Sequence, residues 1–313
     1  MLGSGALLSA PNPQSPTQSL VWLLWFVWGS FVGSFLNVCI YRLPREQSIV
    51  RPRSRCPSCK RTIVWYDNVP LVSFLLLGAK CRHCQARISW RYPLVETLTG
   101  VATVAVLHRF GMSPAGLVYA AFVAALIAAS FVDLEFQIIP DEISIGGLVV
   151  GVLVSGLVPS LHGTESRWGA LGRSVLGMLA GGGILYATGA AGDLMLLSLR
   201  RLGVRLRHSP YWRQKLSRYR HMRESIGGGD VKLLAMAGTV LGWKLVLVTF
   251  FTAPMLALIP GLLVLFFKRS HVIPYGPFLS LALVLALFFG EAILRVSGVE
   301  ETFRLLWEFY GPH

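Results

Sequence analysis

Long apolar stretches alternate with short polar connections along most of the chain. A helix needs about 20 mainly apolar residues to cross the hydrocarbon core of a bilayer, which is roughly 30 Å thick. The stretches that suit such helices are 19–41, 93–110, 114–132, 142–160, 170–199, 245–267 and 272–296. A shorter apolar stretch, 231–243, suits a half-helix or a buried helix. The pattern predicts an all-α polytopic membrane protein with about eight transmembrane helices, if the short stretch is counted as a crossing.

These stretches divide the chain into a small number of parts. The predicted parts are an N-terminal tail (1–18), a first transmembrane helix (19–41), a cytoplasmic loop (42–92), a transmembrane core (93–296) containing a basic cytoplasmic insertion (200–226), and a C-terminal tail (297–313). Residues 1–18 contain no Lys or Arg, whereas a secretory signal begins with a positive region. We therefore expect the first helix to remain as an anchor.

The distribution of charge predicts the orientation. Only 14% of the residues are charged, and the formal net charge is +14. The basic residues concentrate in 42–91, 200–223 and 268–269, and cytoplasmic loops of membrane proteins carry such an excess. The N-terminus is therefore predicted to lie outside.

No nucleic-acid-binding motif accompanies the charge. We expect the insertion to contact anionic lipid headgroups, with an amphipathic helix that gates the site or binds a partner as the alternative.

Two Cys-x-x-Cys pairs lie inside the long basic loop: Cys56 with Cys59, and Cys81 with Cys84. Four thiolates in two such pairs can surround Zn²⁺ tetrahedrally and leave no position open for chemistry. The interval between the pairs exceeds the usual zinc-ribbon range by about one residue. Disulfides are the alternative, but a cytoplasmic loop is kept reduced. The sequence therefore predicts a structural zinc site.

Acidic residues near the predicted helix ends are candidates for function, because carboxylates in a membrane are costly to keep. Pro140 starts a new helix, and Asp141 suits its first turn, where negative charge is favoured. Asp141 is therefore either a helix-capping residue or part of a site. Asp133 lies near the C-terminal end of the preceding helix, where negative charge is unfavourable. Helix stabilisation does not account for Asp133, and we predict a functional role for it.

A glycine-rich motif precedes the short apolar stretch. Gly227, Gly228 and Gly229 stand immediately before Asp230, with Lys232 two residues further on. Glycines allow the backbone to unwind and to approach a neighbour closely. The alternative is a hinge with Asp230 as a helix N-cap. A phosphate-binding loop is excluded, because the G-x-x-x-x-G-K-[ST] pattern is absent.

Asp133 and Asp230 together suggest peptide hydrolysis. Two carboxylates in one site do not ionise together, so one stays protonated while the other is charged. The charged group can take a proton from water, and the protonated one can support the oxyanion and the leaving amine. No Ser/His/Asp arrangement and no HExxH motif offers another hydrolase. Spacing alone does not show whether the two aspartates meet in space.

Several motifs, in order, resemble the type IV prepilin peptidases, a family of bifunctional leader peptidases and N-methyltransferases. The resemblance covers about 29–280. Its motifs are 33–38 (GSFLNV), 41–44 (YRLP), the two cysteine pairs, 65–71 (WYDNVPL), 91–96 (RYPLVE), 227–234 (GGGDVKLL) and 274–278 (PYGPF).

The resemblance implies that Asp133 and Asp230 are the catalytic pair of an aspartyl protease in the bacterial inner membrane, facing the cytoplasm. It implies that the substrate is the basic leader of a prepilin or pseudopilin, cut after a glycine. Glu96 and Glu224 match acidic positions of the family, and we expect them to meet the positive charges of the leader.

The resemblance also implies methylation of the new N-terminus from S-adenosylmethionine, although the chain has no Rossmann fingerprint. Three other readings remain: a transporter or channel using intramembrane aspartates, a membrane scaffold whose zinc module binds partners, and a methyltransferase without protease activity.

Overall fold

The chain is all-helical in the parts that the structure, a computed structural model, describes: residues 16–206, 227–268 and 274–296. The helices are α1 (Pro16–Arg42), α2 (Val72–Leu76), α3 (Arg91–Phe110), α4 (Pro114–Phe136), α5 (Asp141–Leu157), α6 (Arg167–Leu206), α7 (Gly228–Lys268) and α8 (Gly276–Val296). Those three ranges contain two isolated β-bridges and no strand. The prediction of an all-α protein is confirmed. The predicted tails, except residues 16–18, lie outside the described residues, as does most of the insertion 200–226.

The observed helices match the predicted apolar stretches, with two corrections that proline explains. The predicted helix 142–160 ends at Leu157, because Val158 precedes Pro159 and a residue before proline avoids the helical conformation. The predicted helix 272–296 begins at Gly276. Pro277 then occupies the first turn of α8, where its missing N–H costs nothing.

Five helices are long and apolar enough to cross a membrane, compared with the eight crossings predicted. They are Gln18–Arg45, Pro114–Phe136, Arg167–Met195, Gly228–Leu263 and Gly276–Val296. The difference has three sources. Helix α3 carries charged residues and is less apolar than the others, α5 has 17 residues, and α7 counts once although it is broken.

The break in α7 lies at Gly242, whose backbone angles are φ 76° and ψ 168°. Residues 228–241 therefore form a separate short helix, which we call the α7 half-helix. Its apolar side chains are buried, and those of Leu233, Leu234 and Ala237 have no exposed surface. The prediction of a half-helix or buried helix at this place is confirmed.

The first of two compact units comprises residues 1–124. Within it, α1 packs against α3 along glycines that allow close approach. A Cβ added at Gly33 would lie 2.7 Å from the Cα atom of Glu96. Residues 43–90, which include the cysteine pairs, connect these two helices.

The second unit comprises residues 125–313, and within it the α7 half-helix lies between α5 and α6. Gly147 and Gly151 of α5 face Met236 and Thr239 of the half-helix. On the other side, a glycine pair of α6 meets its backbone directly: Gly177 faces the Gly238 carbonyl and Gly181 the Leu234 carbonyl. Small residues four apart let helices approach closely in membrane proteins. The half-helix that begins with the Gly-Gly-Asp motif is therefore enclosed by two glycine-lined grooves.

Candidate active site and metal centre

Asp133 lies in the last turn of α4 and is buried, with 7% of its surface exposed. Its Oδ2 atom accepts a hydrogen bond of 2.8 Å from the backbone N–H of Gly276. Gly276 is the first residue of α8, so the positive end of that helix dipole faces the carboxylate. The contact is close: a Cβ at Gly276 would lie 2.7 Å from Asp133 Oδ2. Any other residue at position 276 would therefore push against the carboxylate.

Asp230 is the third residue of α7 and is half-buried. The carbonyl of Gly227 accepts the first helical bonds, at 3.0 Å from the N–H of Asp230 and 3.4 Å from that of Val231. Asp230 thus lies inside the first turn and is not the N-cap. It is close enough to Asp133 for the two carboxylates to interact electrostatically. The spacing of Asp133 and Asp230 in the sequence did not show that they lie close together.

Tyr275 adjoins both acids. It immediately precedes Gly276, the residue that donates to Asp133, and it interacts electrostatically with Asp230. Burial, with a smaller contribution from the negative charge of Asp230, raises the pKa of Tyr275 to about 12. The phenol therefore stays protonated at neutral pH.

The three motif glycines differ in what surrounds them. A Cβ at Gly229 would lie 3.1 Å from the Cβ of Ile139, in the connection between α4 and α5. A Cβ at Gly227 would lie 3.1 Å from Asp230 Oδ2. Gly228 has nothing within 4 Å of the same position. A nearby atom that a Cβ would crowd therefore accounts for glycine at positions 229 and 227. At position 228 there is no such neighbour.

Asp141 and Lys232 form an ion pair beside this site. Lys232 Nζ lies 2.7 Å from Asp141 Oδ1, and the two side chains are 44% and 59% exposed. Asp141 is the first residue of α5 and lies in its first turn, as predicted, while Pro140 is the N-cap. The pair links the first turn of α5 to the first turn of the half-helix, so Asp141 has a structural partner.

Glu96 lies in the first unit and is buried, at 7% exposed. Its Oε2 atom accepts a hydrogen bond of 2.9 Å from the N–H of Leu71, and it also hydrogen-bonds Ser34. Leu71 has a left-handed φ of 60°, so the carboxylate holds a strained turn of the loop. Its predicted contact with a basic leader stays a prediction. Glu224 lies outside the described residues.

The four paired cysteines converge in the first unit. The Sγ atoms of Cys56, Cys59, Cys81 and Cys84 all lie within 4.8 Å of one another, and none of the four is in a disulfide. Cys56 Sγ and Cys84 Sγ are 3.8 Å apart. A zinc ion with Zn–S bonds of about 2.3 Å would separate its sulfurs by roughly that distance in a tetrahedron. The cluster can hold a metal ion, and its donors suit zinc.

Each cysteine pair is built by the same local fold. In the first, Lys60 N–H donates to the Cys56 carbonyl (2.9 Å) and Cys56 N–H to the Arg61 carbonyl (3.0 Å). The second repeats this pattern 25 residues later, from Cys81 to Ala86. Backbone N–H groups of Cys84 and His83 lower the pKa of the Cys81 thiol to about 6. These amides therefore favour the thiolate form of Cys81, the form in which a cysteine binds a metal.

An ion pair ties the second cysteine turn to the segment between the pairs. Arg82 holds Asp67 through two hydrogen bonds, of 2.8 Å and 2.6 Å. The hydrogen bonds and charge of Arg82 lower the pKa of the Asp67 carboxyl. A two-point contact of this kind fixes orientation as well as distance.

Sequence reasoning assigned no role to Gly276 or Ile139. Gly276 was visible only as part of the Pro-Tyr-Gly-Pro motif, where a glycine permits close backbone approach. Ile139 carried no signal, because its importance comes from facing Gly229.

Comparison with known proteins decides the family. Residues 120–262 match the type IV leader peptidase family, and residues 27–110 match the bacterial peptidase A24 N-terminal domain. The chain belongs to the type IV leader peptidase family. The resemblance noted in the sequence is therefore confirmed, and the match to the family spans Asp133, Asp230 and the α7 half-helix.

Relatives of known name cover most of the chain. A prepilin leader peptidase/N-methyltransferase of Myxococcus xanthus is 37% identical over 240 residues, 77% of this chain and 62% of the relative. Proteins of the same name from Aeromonas salmonicida and Pseudomonas aeruginosa are 32% and 31% identical, over 88% and 85% of this chain and 94% and 90% of the relatives. No solved structure was found to match the chain.

Proposed function

We propose that this member of the type IV leader peptidase family cleaves the basic leader from prepilins and pseudopilins, with Asp133 and Asp230 as its catalytic pair. The observation that carries the proposal is the arrangement of two carboxylates at one end of the second unit. There, the last turn of α4 and the first turns of α7 and α8 bring Asp133, Asp230 and the Gly276 amide together.

The arrangement suits acid–base hydrolysis of a peptide bond. The ionised carboxylate takes a proton from water, and the resulting hydroxide attacks the peptide carbonyl carbon. The protonated carboxyl group hydrogen-bonds the oxyanion and then gives its proton to the leaving nitrogen. The carbon–nitrogen bond breaks, and the two carboxyl groups end the cycle with one proton between them. Two adjacent acids provide this division because they do not ionise together.

The location of the site suits a substrate whose helix lies in the membrane. Both aspartates lie within about one turn of a helix end, which supports a site near a membrane surface. A prepilin can keep its apolar helix in the bilayer while its basic leader reaches the cytoplasm. The excess of Lys and Arg in 200–223, the stretch that precedes the helix of Asp230 in the sequence, supports a cytoplasmic location for the site, in the bacterial inner membrane.

The finer membrane arrangement follows from the same reasoning. We propose eight crossings with the N-terminus outside, counting α3, α5 and both segments of α7. The loop 42–92 then lies in the cytoplasm, where its thiols stay reduced. We propose Zn²⁺ as the metal of Cys56, Cys59, Cys81 and Cys84, where it would hold the loop in shape.

We also propose that the chain methylates the new N-terminal amine with S-adenosylmethionine. The names of the relatives and the intact cysteine loop support this second activity. Transfer of labelled methyl groups to a cleaved pilin tests it. We expect the pilin to become labelled only when S-adenosylmethionine is present. An unlabelled pilin would contradict the methyltransferase activity and would not bear on the peptidase activity.

Cleavage of a purified prepilin by wild type, Asp133→Asn and Asp230→Asn tests the main proposal. Asparagine keeps the size of the side chain but cannot exchange the proton, so we expect losses of about 10³-fold or more in both variants. Zinc content and thermal unfolding serve as controls for folding. Full cleavage by either variant would exclude that aspartate and make Asp141 the next candidate.

Charge reversal tests the proposed leader contacts. We expect Glu224→Lys to raise the KM for a prepilin with a basic leader, because it would repel the leader. Glu96 is buried, so Glu96→Gln replaces the reversal there and removes the charge with little change of shape. A KM unchanged in both variants would dispose of the leader contacts.

A further inference from the structure

The carbonyl of Thr239, near the end of the α7 half-helix, has an unusual set of partners. The half-helix ends at the break at Gly242, so Thr239 lies in its last turn. Thr239 has no exposed surface, so its carbonyl is shielded from water. A buried carbonyl without a partner would cost free energy.

Three side chains from outside the half-helix lie within hydrogen-bond distance of the Thr239 carbonyl. Ser174 of α6 donates to the Thr239 carbonyl at 3.0 Å, and Ser155 of α5 lies 2.9 Å from it. His162, in the turn Pro159–His162 between these helices, places Nε2 3.2 Å from the same oxygen and 3.0 Å from Ser155 Oγ. Ser155 and Ser174 have no exposed surface. We call these three side chains the Thr239 clamp.

The chemistry of the clamp fixes the state of His162. A carbonyl oxygen only accepts, so the imidazole carries its proton on Nε2. Burial, with a smaller contribution from the charge of Arg173, lowers the pKa of His162. The neutral ring is therefore the form that donates to Thr239, while the Arg173 guanidinium binds the backbone carbonyl of His162 at 2.5 Å.

The rest of the half-helix surface makes contacts of a different kind. Its flanks lie against the glycine-lined grooves of α5 and α6, where the contacts involve backbone and small groups. These are packing contacts, whereas the clamp adds directional hydrogen bonds. The exposed pair of Lys232 with Asp141 also restrains the half-helix, but exposed ion pairs are weak.

We propose that Ser155, His162 and Ser174 are positioning residues that fix the axial position of the α7 half-helix and thereby the placement of Asp230 beside Asp133. Thr239 and Asp230 are nine residues apart, roughly 14 Å along a helix at 1.5 Å per residue. Because a helix is stiff over that length, movement at Thr239 reaches Asp230 undiminished. The inference rests on the proposed function, since it concerns the same aspartate pair.

Variants of the clamp test the inference, because the loss of a positioning residue should lower kcat and leave KM unchanged. We expect Ser155→Ala/Ser174→Ala and His162→Leu each to lower kcat about tenfold with KM unchanged. Combining them should lower kcat about 100-fold, because small misplacements of reacting groups cost that much. His162→Gln can still donate to the carbonyl, and we expect its kcat to be within about threefold of wild type.

Thr188→Val is the matched control, because the Thr188 hydroxyl is exposed and bonds only within its own helix, to the Ile184 carbonyl. Hydrogen exchange of the amides over 230–241 should quicken in the clamp variants and not in the control. If a combined variant does not fold, Ser174→Ala alone, which removes one oxygen atom, carries the test.

Three results would overturn the inference: an unchanged kcat in all clamp variants, equal losses in His162→Leu and His162→Gln, or lower thermal stability with kcat unaffected. A wild-type enzyme that does not cleave prepilin would instead contradict the proposed function. The hydrogen-exchange comparison still tests the clamp in that case.

Discussion

The cysteine loop and the aspartate site are built in opposite ways. The cysteine loop takes its four sulfurs from two short turns of identical backbone pattern within one segment of the first unit. The aspartate site takes one residue from each of three helix ends, at positions 133, 230 and 276, which are far apart in the second unit. The first site is local in sequence, and the second depends on how α4, α7 and α8 pack.

This difference predicts how each site fails. A loop site depends on its ligands and survives changes elsewhere, since each turn folds by its own hydrogen bonds. A site assembled from helix ends depends on the backbone contacts that hold the ends together. Substitutions that remove no functional group should therefore harm the aspartate site and leave the cysteine loop intact.

Gly276→Ala is expected to have the largest effect of this kind. The new methyl group would lie 2.7 Å from Asp133 Oδ2, so the carboxylate must move away from the Gly276 amide. We expect the prepilin-cleaving kcat to fall about 100-fold, while zinc content stays at the wild-type level. Gly172→Ala, in α6, is the control, because its Cβ meets nothing within 4 Å. Equal activity of both variants would mean that the amide contact does not position Asp133.

The neighbouring motif glycines provide an internal comparison with a smaller effect. Gly229→Ala places its methyl group 3.1 Å from Ile139, whereas Gly228→Ala meets open space. Ile139 can yield by a few tenths of an ångström, so we expect a loss of about tenfold in kcat for Gly229→Ala and less than twofold for Gly228→Ala. The measurement is steady-state cleavage of the same prepilin, and a reversed order would contradict the packing explanation.

Removing the proposed metal tests whether the cysteine loop can be disrupted without harm to the aspartate site. We expect Cys59→Ser to abolish stoichiometric zinc, measured by elemental analysis, and to make the loop 42–92 sensitive to protease. Because a four-cysteine site has no open position for chemistry, kcat for cleavage should stay within about fivefold of wild type. Ser58→Ala leaves all four sulfurs in place and is the control. A loss of kcat as large as that of the aspartate variants would show that the metal takes part in the reaction.

Asp141→Asn is expected to have the smallest effect. It breaks an ion pair whose side chains are 44% and 59% exposed, and such pairs contribute about 0–1 kcal/mol. The predicted change in kcat is twofold or less, and 0.5 M salt should produce the same small change in the wild type. A loss of 100-fold or more would instead place Asp141 in the reaction.

The sequence predicted some features of the two units and did not predict others. The eight apolar stretches and the two cysteine pairs were readable because hydropathy and Cys-x-x-Cys spacing are local properties. The half-helix or buried character of 231–243 was also predicted, since this stretch is shorter than an ordinary lipid-facing span. Gly276, Ile139 and the Thr239 clamp were not predicted, because each matters through a contact with a residue distant in the chain.

By itself, the sequence determined the helical class, the membrane character, the family and the two cysteine pairs, since each follows from composition, periodicity or motif order. The tertiary structure alone decided that the Gly276 amide binds Asp133, that Lys232 pairs with Asp141, and that Ser155, His162 and Ser174 meet the Thr239 carbonyl. The physical reason is that helix formation depends on neighbouring residues, whereas the meeting of helix ends depends on how side chains and glycines allow the helices to pack.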